Sequence, residues 1–109
     1  MPYDENLAKR IRAEIDRLPG LSEKKMFGGT GFMLRGNMAC GVHGDTLIVR
    51  VGPEQYEQGL AQPHTRPFDM TGRPMAGWIV VEPAGFAADA VLQAWIRQGV
   101  EFALSLPAK

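Results

Sequence analysis

Glycine-containing turns divide the first half of the sequence into short apolar runs. Gly28-Gly29 and Gly44-Asp45 mark two of these turns, and Gly36-Asn37 predicts a tight one between two apolar runs. The run from Thr46 to Val51 is the clearest strand, because β-branched residues are dense in it and Leu47, Val49 and Val51 share one face. Regular short strands joined by such turns predict an antiparallel meander. The other predicted strands run from Glu23 to Phe27, Gly31 to Arg35 and Met38 to His43.

An amphipathic pattern before this region predicts a helix from about Asp4 to Leu18. Its apolar residues recur at spacings of four, four and three, which places them on one stripe. Asp4 can cap the free N–H groups at the start of this helix, and Pro19-Gly20 ends it. The stripe consists of Leu7, Ile11, Ile15 and Leu18.

A longer amphipathic pattern predicts a helix from about Ala87 to Leu106. Gly99 lies on the apolar seam of this helix, although a glycine in a helix costs about 1 kcal/mol relative to alanine. Either another element approaches the helix backbone closely at Gly99, or the helix tolerates the glycine. The sequence leaves both explanations open.

Between the meander and the last helix, Gly52-Pro53 predicts the start of a short helix, with the proline at its first position. Residues 63–77 are irregular, and within them Arg66 to Asp69 predicts a short edge strand. Trp78 to Glu82 predicts a further strand. The expected fold is therefore one α+β domain over residues 1–109: an antiparallel sheet with an N-terminal helix, a short middle helix and a long C-terminal helix.

The charge balance argues against direct binding of nucleic acid. Lys and Arg number 12, Asp and Glu number 12, and the formal net charge is zero. Nucleic-acid binders usually carry a basic surplus, because neutralisation of phosphates drives their affinity. The alternative, weak binding of nucleic acid, would need six basic side chains to lie on one face. They are Lys9, Arg10, Arg12, Arg17, Lys24 and Lys25.

The single cysteine, Cys40, cannot form an intramolecular disulfide, which fits a reducing compartment. The N-terminal segment alternates charged and apolar residues and does not resemble a signal peptide. No apolar run approaches the length of about 20 residues that spans a bilayer. A cytoplasmic location is therefore expected.

No set of residues predicts catalysis, a metal site or a cofactor. The glycines at 28–31 lead into a strand-like run, whereas a phosphate loop leads into a helix. On an extended strand Cys40 and His43 point to opposite faces, so the thiol would lie apart from a base. With His64, these residues are too few for a usual structural zinc site. The expectation is a non-enzymatic protein without metal or cofactor.

The irregular segment holds the polar residues most open to a functional interpretation. Asp69 lies near Arg66 and Arg73 in sequence, which favours a salt bridge or Asx-turn and leaves a small-ligand or enzyme site as the alternative. Methionines number six. Filling of irregular gaps in the core is their default role, but an exposed patch of Met70, Met75 and Trp78 would indicate a protein partner.

Several strings resemble the N-terminal domain of the TfoX/Sxy family. The resemblance extends from Tyr3 to Pro107 and implies a type III secretion chaperone-like α+β domain without catalytic residues. The family's named members regulate natural competence and carry a second, helical C-terminal domain, so a stand-alone N-terminal-type domain is expected for a chain that ends at Lys109. The strings are Glu23-Lys24-Lys25-Met26-Phe27-Gly28-Gly29, Gly31-Phe32-Met33, Gly36-Asn37-Met38, Cys40-Gly41-Val42, Arg50-Val51-Gly52-Pro53-Glu54, Thr71-Gly72-Arg73-Pro74-Met75 and Gly77-Trp78.

Taken together, these observations predict a regulatory or adaptor domain that acts through protein–protein contacts in transcription or competence regulation. The partner is expected to be another protein, and the chain a monomer or homodimer. A small-ligand protein or enzyme using residues 66–78 is the first alternative. The candidate interaction surface consists of Met26, Phe27, Gly28, Gly29, Arg66, Asp69, Met70, Arg73, Met75 and Trp78.

Overall fold

The computed structural model describes residues 4–26, 29–69 and 75–107. The elements alternate as the sequence predicts, with one helix before the meander, one within the chain and one at its end. They are α1 Glu5–Ile15, β1 Leu21–Met26, β2 Gly29–Leu34, β3 Asn37–His43, β4 Thr46–Arg50, α2 Tyr56–Leu60, β5 Thr65–Pro67, β6 Trp78–Val81, a 3₁₀ turn Pro83–Gly85 and α3 Asp89–Ser105.

The six strands form one antiparallel sheet in the order β1-β2-β3-β4-β6-β5. The first four strands are a meander, as predicted. The last two strands lie in the sheet in the reverse of their chain order, because β6 pairs with β4 and leaves β5 at the edge. Pro67 suits this edge position, because proline has no backbone N–H with which to bond a second neighbouring strand. The α+β class and the three helices are thus confirmed.

The core lies between one face of the sheet and the helices. Alternate residues of the strands meet apolar residues of α1 and α3 in one buried cluster, and Tyr56 and Leu60 of α2 pack against it. Side chains at the centre of this cluster are completely or almost completely removed from solvent. They include Leu7, Ile11, Phe32, Cys40, Leu47, Val49 and Ile79.

Helix α1 follows the predicted stripe but is shorter at its C-terminal end. Asp4 is the N-cap, and its carboxylate accepts hydrogen bonds from the backbone N–H groups of Asn6 and Leu7 at 2.9 and 3.2 Å. Ile15 is the last helical residue, three residues before the predicted end at Leu18. Leu18 still packs against the core as a half-buried side chain.

Two local predictions were wrong. The hairpin turn between β2 and β3 is formed by Arg35 and Gly36, with φ of 53° and 85°, and not by Gly36-Asn37. Positive φ at both central residues is typical of a type I′ turn, so Asn37 becomes the first residue of β3. Helix α2 begins at Tyr56, and Pro53 lies in the turn before it.

No helix within the described ranges combines the length and the apolar character that crossing a bilayer requires.

Candidate binding groove between α2 and α3

The predicted interaction surface is divided between two distant parts of the sheet. Met26 pairs with Gly29 at the β1 edge, whereas Arg66 and Trp78 lie in β5 and β6 at the other side. Strands β3 and β4 separate the two groups. Phe27, Gly28, Met70 and Arg73 also belong to the prediction, but they lie outside the described residues.

The group around Trp78 is held by aromatic, cation–π and ion-pair contacts. The Trp78 ring lies 6.2 Å from that of Phe68, and the guanidinium of Arg50 stacks between the rings of Trp78 and Phe102 at 5.1 and 5.3 Å. Arg66 makes an exposed ion pair with Glu82 at 2.6 Å. These contacts hold the end of the sheet together.

Two further members of the predicted surface lie beside this group. Asp69 is exposed, and Met75 is 36% exposed. The backbone N–H of Met75 donates to the carbonyl oxygen of Phe68 at 2.9 Å, which closes the base of the loop between β5 and β6. Their use as a contact surface stays a prediction.

The six basic residues considered for nucleic-acid binding do not form a free cluster. Arg10 bonds the Asp89 carboxylate at 2.9 Å, and Arg12 bonds that of Glu23 at 2.8 Å. Lys24 and Lys25 are consecutive on β1 and therefore point to opposite faces of the sheet. The two ion pairs therefore neutralise part of the positive charge, and the two lysines of β1 do not share one face.

Cys40 is a core residue. Its side chain is completely buried, and burial raises the pKa of the thiol to about 12. The nucleophilic thiolate is therefore scarce at neutral pH. Among the described residues, no three His, Cys, Asp or Glu side chains converge in a way that could hold a metal ion.

A groove of about 740 Å³ lies between α2 and α3. Its volume falls within the range typical of ligand sites, roughly 300–1,000 Å³. A smaller cavity of about 230 Å³ continues it past Phe102 toward Glu54 and Ser105. The groove is lined by Val51, Gln55, Gln58, Gly59, Gln62, Val91, Ala94, Trp95, Gln98, Glu101 and Phe102.

Amide side chains dominate the rim of this groove. Four of the chain's five glutamines line it, namely Gln55, Gln58, Gln62 and Gln98. None of the four side chains hydrogen-bonds to another described residue, whereas the fifth, Gln93, donates to the Glu14 carboxylate at 2.9 Å. Each free amide offers two donors and an acceptor, so the rim can bind polar groups of both kinds.

Trp95 forms the floor and carries a free donor. Its side chain is only 6% exposed, and no described residue accepts a hydrogen bond from its indole N–H. Every fully buried side-chain nitrogen in the described residues has a hydrogen-bond partner. The indole N–H of Trp95 therefore retains contact with solvent, and the groove is the open space that this residue lines.

The charge of the groove is negative. Glu101 lines the main groove and Glu54 lines the smaller cavity, and neither carboxylate is engaged in an ion pair within the described parts of the chain. Among the described residues that line the two cavities there is no lysine, arginine or histidine. Such a field disfavours anionic ligands and favours cationic ones.

Sequence reasoning missed this groove, although part of its signal was present. Gln55, Gln58 and Gln62 recur at spacings of three and four, which is the spacing of one helix face. In the structure Gln58 lies within α2, Gln55 is its N-cap, and Gln62 follows its C-cap. The second wall could not be read in the same way. Gln98 and Glu101 lie on a helix about forty residues away, and only the folded chain brings α3 beside α2.

A family model described as the TfoX N-terminal domain matches residues 13–103. The chain belongs to the TfoX N-terminal domain family. No curated protein sequence and no solved structure gives a significant match to it. The likeness to type III secretion chaperones accordingly stays a prediction.

The TfoX N-terminal family is linked in general to competence regulation, and it is not a known enzyme family. The matched residues include every residue that lines the main groove between α2 and α3. The groove therefore lies inside the family domain.

Proposed function

We propose that this TfoX N-terminal domain is a non-enzymatic regulatory or adaptor module that binds another protein in the competence regulation to which its family is linked. The groove between α2 and α3 is the proposed contact site. The observation that supports it is a nearly buried Trp95 that lines the groove together with four glutamines, and none of these five side chains hydrogen-bonds to another described residue. Unpaired polar groups around an apolar floor are typical of binding sites.

The composition of the groove supports binding over catalysis. General acid–base or nucleophilic chemistry needs a reactive side chain beside a base. The described residues that line the main groove include no serine, cysteine, histidine or lysine, and Glu101 is the only ionisable side chain among them. Ser105 lines the smaller cavity, but its hydroxyl donates to the Phe102 carbonyl oxygen at 2.6 Å.

Site-specific photo-crosslinking tests the proposal in the native cell. The photoreactive residue p-benzoylphenylalanine would replace Gln58 or Gln98 in the groove, and the exposed Ser22 on β1 as a control. We expect the same protein to be cross-linked from both groove positions and not from Ser22. That protein should then bind the purified chain. If the groove positions yield no protein adduct while Ser22 does, the contact site lies elsewhere.

A further inference from the structure

We infer that the groove between α2 and α3 binds an extended peptide segment in which an apolar side chain stands next to a basic one. This inference rests on the proposed function, since it names the chemistry of the partner segment at the same site. Three properties of the groove support it: the free amides, the indole N–H in the floor and the unpaired carboxylates.

The free amides match a peptide backbone. An extended peptide presents N–H donors and carbonyl acceptors in alternation along its length. Gln58 on α2, with Gln55 and Gln62 just before and after that helix, lines the groove on one side, and Gln98 on α3 lines it on the other, so amide groups stand on both walls. Each amide can donate to a carbonyl and accept from an N–H. A phosphate or carboxylate ligand would instead need cationic side chains, and the described part of the chain places none in the lining.

The floor supplies an anchor point. The Trp95 N–H requires an acceptor, and a peptide carbonyl oxygen is one. Apolar surface lies around it, because Phe102 is half-buried and Val91 is 44% exposed at the groove wall. An apolar side chain placed on this surface would remove it from water, which contributes about 25 cal/mol for each Å² buried.

The carboxylates select the charge. Glu101 on α3 and Glu54 before α2 lie along one continuous depression, since the two cavities share Val51, Gln55 and Phe102. A lysine or arginine side chain next to the apolar anchor would give these carboxylates a partner. Electrostatic complementarity of this kind contributes specificity and association rate.

Selection from a phage-displayed library of random heptapeptides on the immobilised full chain tests the inference. We expect enriched peptides to combine an apolar residue with an adjacent lysine or arginine. Synthetic versions of these peptides would be measured by isothermal titration calorimetry. Enrichment of acidic peptides, or of none, would overturn the inference. It would leave the proposed function standing wherever the cross-linking from Gln58 and Gln98 succeeds.

Matched variants assign the contacts. Glu101→Gln keeps the shape and removes the charge, and we expect roughly a 5-fold weaker Kd at low salt for basic peptides and no change for neutral analogues. Trp95→Phe removes the N–H and keeps most of the apolar ring, with an expected loss of roughly 10-fold. Gln93→Ala, on α3 outside the groove, should leave Kd unchanged. Equal binding by Glu101→Gln and the native chain would contradict the assignment, and circular dichroism verifies that each variant is folded.

Discussion

Helix α3 passes so close to β3 that a Cβ atom on Gly99 would collide with the carbonyl oxygen of Ala39. The same atom would lie 3.4 Å from Cγ1 of Val49. Gly99 is buried, and its close neighbour is rigid strand backbone that cannot rotate aside. Of the two explanations that the sequence left open, close approach of another element is therefore confirmed.

The first prediction is that Gly99→Ala destabilises the protein. Helix propensity alone would favour alanine by about 1 kcal/mol. Overpacking against backbone costs typically about 1–3 kcal/mol, and the loss should exceed the gain. Urea unfolding followed by circular dichroism should show a lower free energy of unfolding. Ala94→Gly, on the exposed side of the same helix, measures the propensity effect alone. A Gly99→Ala variant that is more stable than the native chain would contradict the packing argument.

The second prediction concerns the hydrogen bond between the β2–β3 hairpin and the segment that follows α3. The Asn37 side-chain amide donates a 2.9 Å hydrogen bond to the carbonyl oxygen of Pro107, and Asn37 is only 2% exposed. Asn37→Ala should reduce the free energy of unfolding by about 1–2 kcal/mol. Deletion of residues 107–109 removes the acceptor, so the same substitution should cost less in the shortened chain. Equal costs in both backgrounds would show that the bond contributes nothing.

The third prediction separates two arginines by what they contact. One nitrogen of Arg10 lies 3.0 Å from the Phe86 carbonyl oxygen, 3.4 Å from that of Ala87 and 2.9 Å from the Asp89 carboxylate. It thereby ties α1 to the start of α3. Arg66 makes one ion pair, with side chains 51% and 39% exposed.

Arg10→Ala should therefore cost about 1–2 kcal/mol, because it leaves backbone carbonyls without a charged donor. Arg66→Ala should cost less than about 1 kcal/mol, as exposed ion pairs usually do, and high salt should diminish that cost further. Thermal unfolding at low and high salt measures both effects. The reverse ranking of the two variants would contradict this account.

Local patterns in the sequence predicted most elements, because caps and alternation act over a few residues. Asp4 caps α1, and Thr46 begins β4, as expected. The turn between β2 and β3 was misplaced by one residue because a positive φ at Arg35 has no strong sequence signal. What local patterns could not supply is strand order. The insertion of β6 between β4 and β5 is a long-range pairing, and it decides which side chains share a surface.

This limit explains the outcome for the candidate sites. Gly29 and Trp78 both adjoin turns in the sequence, but the sheet order places them in separate regions. The groove glutamines appeared as an ordinary polar helix face until α3 was placed beside α2. A site built from one element can thus be read locally, whereas a site built from two requires the topology.

The last prediction follows from the buried thiol of Cys40. Its pKa is raised from 9.0 to about 12 by burial, so between these values the native state keeps a proton that the unfolded state has lost. The thiol's contribution to stability is complete below pH 9 and is lost as the pH rises toward 12. The Cys40→Ala variant has no thiol proton to lose. The free energy of unfolding that this substitution costs should therefore shrink by up to about 1.4 kcal/mol per pH unit above 9. Urea unfolding of both proteins at pH 8 and pH 10.5 measures the difference, and the other titrating groups cancel. A cost that stays constant over this range would show that the Cys40 thiol titrates alike in the folded and unfolded chains.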